Sequence, residues 1–337
     1  MTTTINPERI LRELSELWVS LGKESEADQG SGVLRACAMT LIATVEESED
    51  PSDIWATIAA LMPEHPSRAI VIRLHPSTAR ELSSRVFSQC WMPFGHRRQI
   101  CCEQIEIIAS DASIPDLPPV ILPLAVSDLP MIVWCRGPRL FALPDFPQLA
   151  GMAHKLILDS AAYPDPRSAL LQFAERAGKG GVLADLAWTR LTRFRELVSQ
   201  IFQNRSYLAR LPKRAQIRIG FGGDSPPTAA YYLAAWLLDR LQGAAVTWQP
   251  MPGFVSGELA QVELSGADDA ELRLSIRATG DREPPTAELR VDSLTSRVVF
   301  PPDNDYTLLR EELLIPGRDA VYDASLARAA RLIAEGR

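Results

Sequence analysis

Two kinds of hydrophobic pattern divide this chain. In the first half, apolar residues come in short unbroken runs, such as residues 131–135, which are typical of strands buried in a parallel sheet. From Val246 to Phe300, apolar and polar residues alternate, which predicts antiparallel strands with one face in solvent. Two prolines within residues 161–167 interrupt the pattern between these regions. We therefore expect two α/β domains, residues 1–162 and 163–337, the second with an antiparallel meander and C-terminal helices.

The same pattern predicts individual elements. Residues 33–45 form one buried strand, and Ile100–Ile108 is expected to pair with the extended segment Phe87–Phe94. We also expect a helix over Thr228–Leu241, which is rich in Ala, Tyr and Leu, and another over Asp319–Ala334 near the end of the sequence.

One amphipathic segment lies in the middle of the sequence. Asp185 can accept the free amide hydrogens of a first helical turn, so we expect a helix from Asp185 to Phe202. Apolar residues recur there at helical spacing and predict one buried stripe, consisting of Ala187, Leu191, Phe194, Val198 and Ile201.

Arginines lie among aromatic residues on the rest of this helix. The four residues concerned are Trp188, Arg190, Arg193 and Arg195. They are either the solvated outer face of a core helix or a recognition surface, because Trp and Arg are the residues that most often anchor protein interfaces. Spacing does not decide between these interpretations, and all four are candidate partner-binding residues.

The composition is that of an ordinary globular protein, with 46% hydrophobic and 23% charged residues among 337. A net charge of -7 argues against general affinity for nucleic acid or for an anionic membrane. No apolar run approaches the roughly 20 residues of a membrane helix, and the N-terminal residues do not have the pattern of a secretion signal. We therefore expect a cytoplasmic protein with neither nucleic-acid nor membrane partners.

The five cysteines are expected to be reduced. Their number is odd and all lie in the first half of the chain, which suits cytoplasmic thiols better than a disulfide framework. Cys101 and Cys102 are adjacent in a predicted strand, so their side chains point to opposite faces and should be buried thiols. Cysteine chemistry should then be dispensable for function.

A glycine-rich loop, Gly220–Thr228, lies between a predicted strand and a predicted helix. Its candidate anion-binding residues are Gly222, Gly223, Asp224 and Ser225. Glycines let backbone amides approach an anion, and a helix N-terminus favours negative charge. The loop is neither a dinucleotide fingerprint nor a Walker loop, and Asp224 or Ser225 as an ordinary helix cap explains it equally well.

Catalytic and metal sites have no clear signature in the sequence. The four histidines are scattered without metal-ligand spacing, and no nucleophile elbow is present. We therefore predict no catalytic residue, no metal and no cofactor, although a triad assembled in space would leave no local motif.

Several segments of the sequence are recognisable together. They are Asp185–Leu197 and, in chain order, His65–Ile70, Ile100–Glu103, Asp128–Trp134, Leu156–Ser160, Ala234–Leu237 and Gly317–Tyr322. In sequence and order they resemble the OpcA family of glucose-6-phosphate dehydrogenase assembly proteins, and Asp185–Leu197 is similar to the hallmark of that family.

This resemblance implies a non-catalytic assembly factor or allosteric activator of glucose-6-phosphate dehydrogenase, at the entry to the oxidative pentose phosphate pathway. The family's photosynthetic members link activation to thioredoxin-controlled cysteines, and this chain has no cysteine after Cys135. We therefore do not expect a redox switch. A second hypothesis is a sugar-phosphate-binding protein or enzyme that uses the Gly220–Thr228 loop.

Overall fold

A mostly parallel sheet forms the centre of the N-terminal half in the computed structural model. The structure describes residues 5–27, 32–91, 98–211, 215–266, 273–278 and 286–336. The chain forms two compact units, Met1–Leu158 with Gly181–Leu183, and Asp159–Gly180 with Ala184–Arg337. The sequence pattern places the division after residue 162. In the structure, the first unit ends at Leu158 and also includes Gly181–Leu183.

The first unit contains most of the strands of one sheet. The strands of this sheet are β1 (Gly32–Arg35), β2 (Met39–Glu46), β3 (Ser67–His75), β4 (Leu82–Trp91), β5 (Arg98–Ser110), β6 (Met131–Cys135), β7 (Lys155–Leu158) and β8 (Val182–Asp185). The α-helices of the unit are α1 (Pro7–Ala27), α2 (Pro51–Leu61), α3 (Leu117–Ile121), α4 (Arg139–Ala142) and α5 (Phe146–Ala150).

The strand order in this sheet is β1-β5-β3-β2-β6-β7-β8, with β4 pairing to β5. The pairs of β2 with β3 and with β6 are parallel, as expected from the short apolar runs that these strands contain. Ile42 and Ala43 of β2 and Ile70 and Val71 of β3 are fully buried, so the core lies along the central strands.

The single strand predicted over residues 33–45 is wrong. The structure has β1 and β2 there, and they lie apart in the sheet because β1 pairs with β5 and β2 with β3. Residues 36–38 separate the two strands, so one apolar run supplies two positions in the sheet.

The predicted pairing of residues 87–94 with 100–108 is confirmed by the antiparallel β4–β5 ladder, except that residues 92–97 lie outside the described residues. The expectation of five reduced thiols is wrong for one pair, Cys90 and Cys101, which form a disulfide. These residues are opposite each other in the ladder with their Cα atoms 4.1 Å apart, so their sulfur atoms meet. Cys102 is a free, buried thiol, as predicted.

The second unit contains a six-stranded sheet and several helices. Its strands are β9 (Gln216–Phe221), β10 (Ala245–Pro250), β11 (Leu259–Ser265), β12 (Leu274–Ala278), β13 (Thr286–Val291) and β14 (Leu294–Val299). Its helices are α6 (Pro166–Gly178), α7 (Leu186–Thr189), α8 (Thr192–Gln203), α9 (Arg205–Ala209), α10 (Thr228–Arg240), α11 (Asp305–Glu312) and α12 (Ala320–Ala334).

The strand order of this second sheet is β10-β9-β11-β12-β13-β14. The four strands from β11 onward form the predicted antiparallel meander. The meander does not begin at Val246, however, because β10 pairs in parallel with β9 after the crossover helix α10. Alternate residues of β11 are buried, so one face of the sheet covers a core and the other is open.

No helix among the described residues is both long and apolar enough to span a bilayer.

Candidate functional site

The strand order of the parallel sheet reverses at a switch point. Open α/β sheets bind ligands there, beyond the carboxyl ends of the strands. In the first unit this point lies between β2 and β6, because β3 follows on one side of β2 and β6 is added on the other. We call the space between residues 46–50 and 136–139, which end or follow these strands, the switch-point crevice.

Ion pairs cross the switch-point crevice. Arg139 donates through Nε to Glu46 and through Nη1 to both carboxylate oxygens of Asp111. Arg136, which like Arg139 follows β6, donates to Glu49. Partial burial opposes ionisation, but the hydrogen bonds with Asp111 and Glu46 raise the pKa of Arg139 overall. The two arginines thus bind carboxylates of this chain at the position where an α/β protein binds a ligand.

The loop after β2 is also acidic where a nucleotide-binding protein has glycines. It reads Glu46-Glu-Ser-Glu-Asp50, so its four carboxylates lie before the N-terminus of α2. Asp50 caps that helix by accepting the backbone N–H of Ser52 at 2.8 Å, and this bond holds the pKa of Asp50 below its usual value. A phosphate at this helix end would meet negative charge instead of free amides.

The glycines of the Gly220–Thr228 loop have a packing reason. A side chain at Gly220 would collide with the Met251 side chain, and one at Gly222 with the backbone of Val255. Gly223 has a φ of 89°, a left-handed conformation that favours glycine, and lies against Ser256. Residues 251–258 therefore cover the loop closely, and this accounts for the glycines without an anion.

The four candidate anion-binding residues do not form an open cradle. The Gly222 amide already donates to the Glu258 carbonyl at 3.0 Å, while Asp224 and Ser225 are exposed. The alternative that Asp224 or Ser225 caps the helix is wrong, because α10 begins at Thr228 with Pro227 as its N-cap. Anion binding by this loop remains a prediction, and the carboxylate of Asp224 does not favour it.

The segment predicted as one helix from Asp185 to Phe202 consists of two helices, α7 and α8, with a break at Arg190 and Leu191. The predicted cap is confirmed, since Asp185 Oδ1 accepts the Ala187 amide at 2.9 Å. The predicted stripe is confirmed as well. All five of its members are buried, namely Ala187, Leu191, Phe194, Val198 and Ile201.

Asp185 does more than cap a helix. Its Oδ1 also accepts the Ser160 amide at 2.9 Å, and its Oδ2 accepts the Tyr232 hydroxyl at 2.7 Å. Burial raises the pKa of Asp185 to about 6, with a further contribution from the nearby charge of Asp159. This carboxylate therefore joins α7, α10 and the turn at Ser160 in the interior of the second unit.

Trp188 is an interior residue. It is 3% exposed, its ring contacts Tyr232 edge-on, and its Nε1 donates to Asp319 at 3.3 Å. The Arg195 guanidinium lies 3.6 Å from the centre of the same ring. Burial lowers the pKa of Arg195 to about 10, against the opposing charges of Asp319 and its neighbours. Because it is buried, Trp188 does not present its ring to a partner.

The other two candidates differ from each other. Arg190 holds Asp159 with two parallel hydrogen bonds of 2.8 Å and donates through Nε to Asp303. Burial alone would lower the pKa of Arg190, but these hydrogen bonds raise it. Arg193 is 52% exposed, and its ion pair among the described residues is with Glu196, one turn along α8. The structure thus leaves Arg193 as the candidate that most clearly faces solvent, and partner binding by these residues remains a prediction.

Two family models match this chain in succession, and both describe a subunit of glucose-6-phosphate dehydrogenase. The model of its N-terminal domain matches residues 58–175, and the model of its C-terminal domain matches residues 182–326. Together they cover most of the sequence. The chain belongs to the OpcA family.

Individual relatives of this OpcA chain are distant. The OxPP cycle protein OpcA of Nostoc punctiforme is 28% identical over 220 residues, which cover 60% of this chain and 46% of that protein. Its counterpart in Synechococcus elongatus is 26% identical over 290 residues, 74% of this chain and 63% of that protein. The chain spans about half the length of the first of these relatives.

Among solved structures, the aldose-aldose oxidoreductase from Caulobacter crescentus, complexed with glycerol, is similar at a TM-score of 0.41. The two are 11% identical, over 88% of this chain and 98% of that one. This likeness is too distant to bear on function.

A groove that no sequence motif indicates lies in the second unit of this OpcA chain. A cavity of about 500 Å³ separates β10 from α10 and α12. It is lined by Leu238, Ala244, Ala245, Val246, Trp248, Arg328, Arg331, Leu332 and Glu335. We call it the β10–α12 groove. The spacing of Arg328, Arg331 and Glu335 on one side of α12 is the only signal that the sequence offers for it.

Proposed function

We propose that this chain is a non-catalytic subunit that binds glucose-6-phosphate dehydrogenase and promotes its assembly or active form in the oxidative pentose phosphate pathway. Membership of the OpcA family supports this proposal, since both matching family models describe domains of a dehydrogenase subunit. The names of the relatives from Nostoc and Synechococcus agree with it.

The proposal that this subunit is non-catalytic is carried by the ion pairs in the switch-point crevice. Arg139 joins Glu46 and Asp111 across it, and the acidic loop before α2 faces the place where a cofactor phosphate binds in related architectures. A negatively charged substrate or cofactor would have to displace these pairs, and it would then meet the four carboxylates of the acidic loop. The crevice therefore supports a scaffold more than a reaction site.

A cytoplasmic location belongs to the same proposal. It rests on the proposed partner and no longer on the cysteines, because Cys90 and Cys101 form a disulfide.

The test uses the purified chain and the dehydrogenase of the same host. We expect the two to co-elute, and the specific activity of the dehydrogenase to rise when this chain is added. Calorimetry of the chain alone with glucose 6-phosphate and with NADP⁺ should give no binding heat. Micromolar binding of either molecule without the dehydrogenase, or NADP⁺ reduction by this chain alone, would contradict the proposal and favour the sugar-phosphate hypothesis.

A further inference from the structure

The free edge of the second sheet borders the β10–α12 groove. Among the described strands of that sheet, β10 is terminal and has β9 as its one partner. The Ala245 amide donates to Ala215 and the Met251 amide donates to Phe221, so the odd-numbered residues of β10 bond to β9. Because bonding alternates along a parallel pair, the main-chain groups of Val246 and Trp248 point away from β9.

This edge lacks the features that usually prevent pairing with another strand. Natural edge strands are protected by charged side chains, bulges or prolines. β10 reads Ala245-Val-Thr-Trp-Gln-Pro250, with no charge and with a proline only at its last position. Among the described residues, the amides of Val246 and Trp248 have no backbone partner outside the sheet.

Apolar side chains form part of the lining of the groove beside this edge. Val246 and Trp248 lie opposite the buried residues Ile217 and Ile219 of β9, so their side chains face the helix layer. Leu332 of α12 lies on the other side of the cavity. The volume of about 500 Å³ lies within the range of cavities that hold ligand groups, and it accommodates a bulky apolar side chain.

Positive charge lies at the rim. Arg331 is exposed and makes no ion pair within the part of the chain that the structure describes, and Arg328 reaches Asp239 only at 3.9 Å. Glu335 is an acidic lining residue at the C-terminal end of α12. An acidic group placed near Arg331 gains a charge-assisted hydrogen bond that the chain itself does not provide.

We propose that the β10–α12 groove binds an extended, acidic segment of glucose-6-phosphate dehydrogenase, which adds to β10 as a further strand. Its main chain pairs with Val246 and Trp248, a bulky apolar side chain enters the cavity, and a carboxylate binds Arg331. This mode is strand addition at a sheet edge, in which main-chain bonds give affinity and pockets give specificity. The inference rests on the function proposed above.

Two other occupants fit less well. A small molecule does not use the main-chain groups of Val246 and Trp248, which recur two residues apart along an extended strand, about 6.8 Å. A second copy of this chain would bring its own Arg328 and Arg331 to the same edge, and like charges oppose that pairing.

The first measurement is hydrogen exchange on the full chain, alone and with the dehydrogenase. We expect the peptide that covers residues 244–250 to exchange more slowly in the complex, because the Val246 and Trp248 amides become paired. Unchanged exchange there in a complex that forms would overturn the inference.

The second measurement compares binding of the dehydrogenase by two groove variants and a control. Val246→Pro removes an outward amide without removing a bond to β9, and Arg331→Glu reverses the rim charge. Each should weaken binding by about tenfold or more, roughly 1.4 kcal/mol. Arg297→Glu makes the same charge change on the exposed strand β14 at the other edge and should change affinity by less than about twofold.

The outcomes separate the two proposals. If the wild-type chain does not bind the dehydrogenase, both the proposed function and this inference fail. If the wild type binds and both groove variants bind equally well, the groove is not the site and the proposed function stands. Sedimentation of a wild-type dimer that Val246→Pro converts to a monomer would instead assign the edge to a second copy. Thermal unfolding of each variant checks that it is folded.

Discussion

The α7–α8 segment and the β10–α12 groove both combine arginine with tryptophan, yet they use these residues differently. In α7–α8, Trp188 is buried, Arg195 lies on its ring and Arg190 is held by two aspartates. In the groove, Trp248 borders a cavity and Arg331 is exposed without an ion pair among the described residues.

The difference teaches that residue types alone do not identify an interface. A guanidinium that already holds two carboxylates gains little from a partner, because binding must first break those bonds. A free guanidinium beside an open strand edge gains both a charge pair and main-chain bonds. On this comparison, α7–α8 is a structural segment and the β10–α12 groove is an interface.

The largest effect should come from Asp185→Ala. The change leaves three buried donors without an acceptor, the amides of Ser160 and Ala187 and the hydroxyl of Tyr232. We expect a loss of about 3–5 kcal/mol in the free energy of unfolding, measured by urea denaturation. Asp185→Asn keeps the Oδ1 acceptor and should cost much less. Equal stability of Asp185→Ala and wild type would mean that the α7–α8 segment does not depend on this interior network.

A smaller effect should appear in the pH dependence of stability. The pKa of Asp185 is raised to about 6 in the folded chain, from 3.8 when unfolded, so the folded state binds its proton more tightly. The contribution of this group to stability is therefore greatest below about pH 4 and falls as the pH rises through 6.

Asp185→Asn removes that dependence and serves as the reference. Between pH 4 and pH 7, the wild type should lose about 2–3 kcal/mol relative to this variant. Urea midpoints measured for both proteins across this range check it. A stability difference between the two proteins that stays constant, or that grows in favour of the wild type as the pH rises, would contradict a raised pKa of the buried Asp185 carboxyl.

Local pattern was sufficient for much of the fold. Composition and alternation predicted α10, α12 and the meander from β11 to β14, because helix propensity and strand alternation are local properties of the sequence. The Asp185 cap was predictable for the same reason, since it bonds to an amide two residues away. The break between α7 and α8 was missed because the apolar stripe continues through Leu191.

Pairing between distant residues was not predictable. Asp159 and Asp303 lie 31 and 113 residues from Arg190, and no spacing rule connects them to it. The Cys90–Cys101 disulfide depends on the register of β4 with β5. The β10–α12 groove likewise forms only when β10 crosses over to β9 and α12 returns beside it.

The smallest effect, and the sharpest test of the comparison, is expected from Arg193→Glu. Within the part of the chain that the structure describes, Arg193 pairs with the exposed Glu196 alone, so its replacement should change stability by less than about 0.5 kcal/mol. If α7–α8 is structural, the variant should activate the dehydrogenase as the wild type does, while Arg331→Glu should not. Arg193→Ala separates loss of the charge from its reversal. Charge reversal at a true interface adds repulsion to the lost contact. The comparison would therefore be reversed if a folded Arg193→Glu variant failed to activate the dehydrogenase while Arg331→Glu remained fully active.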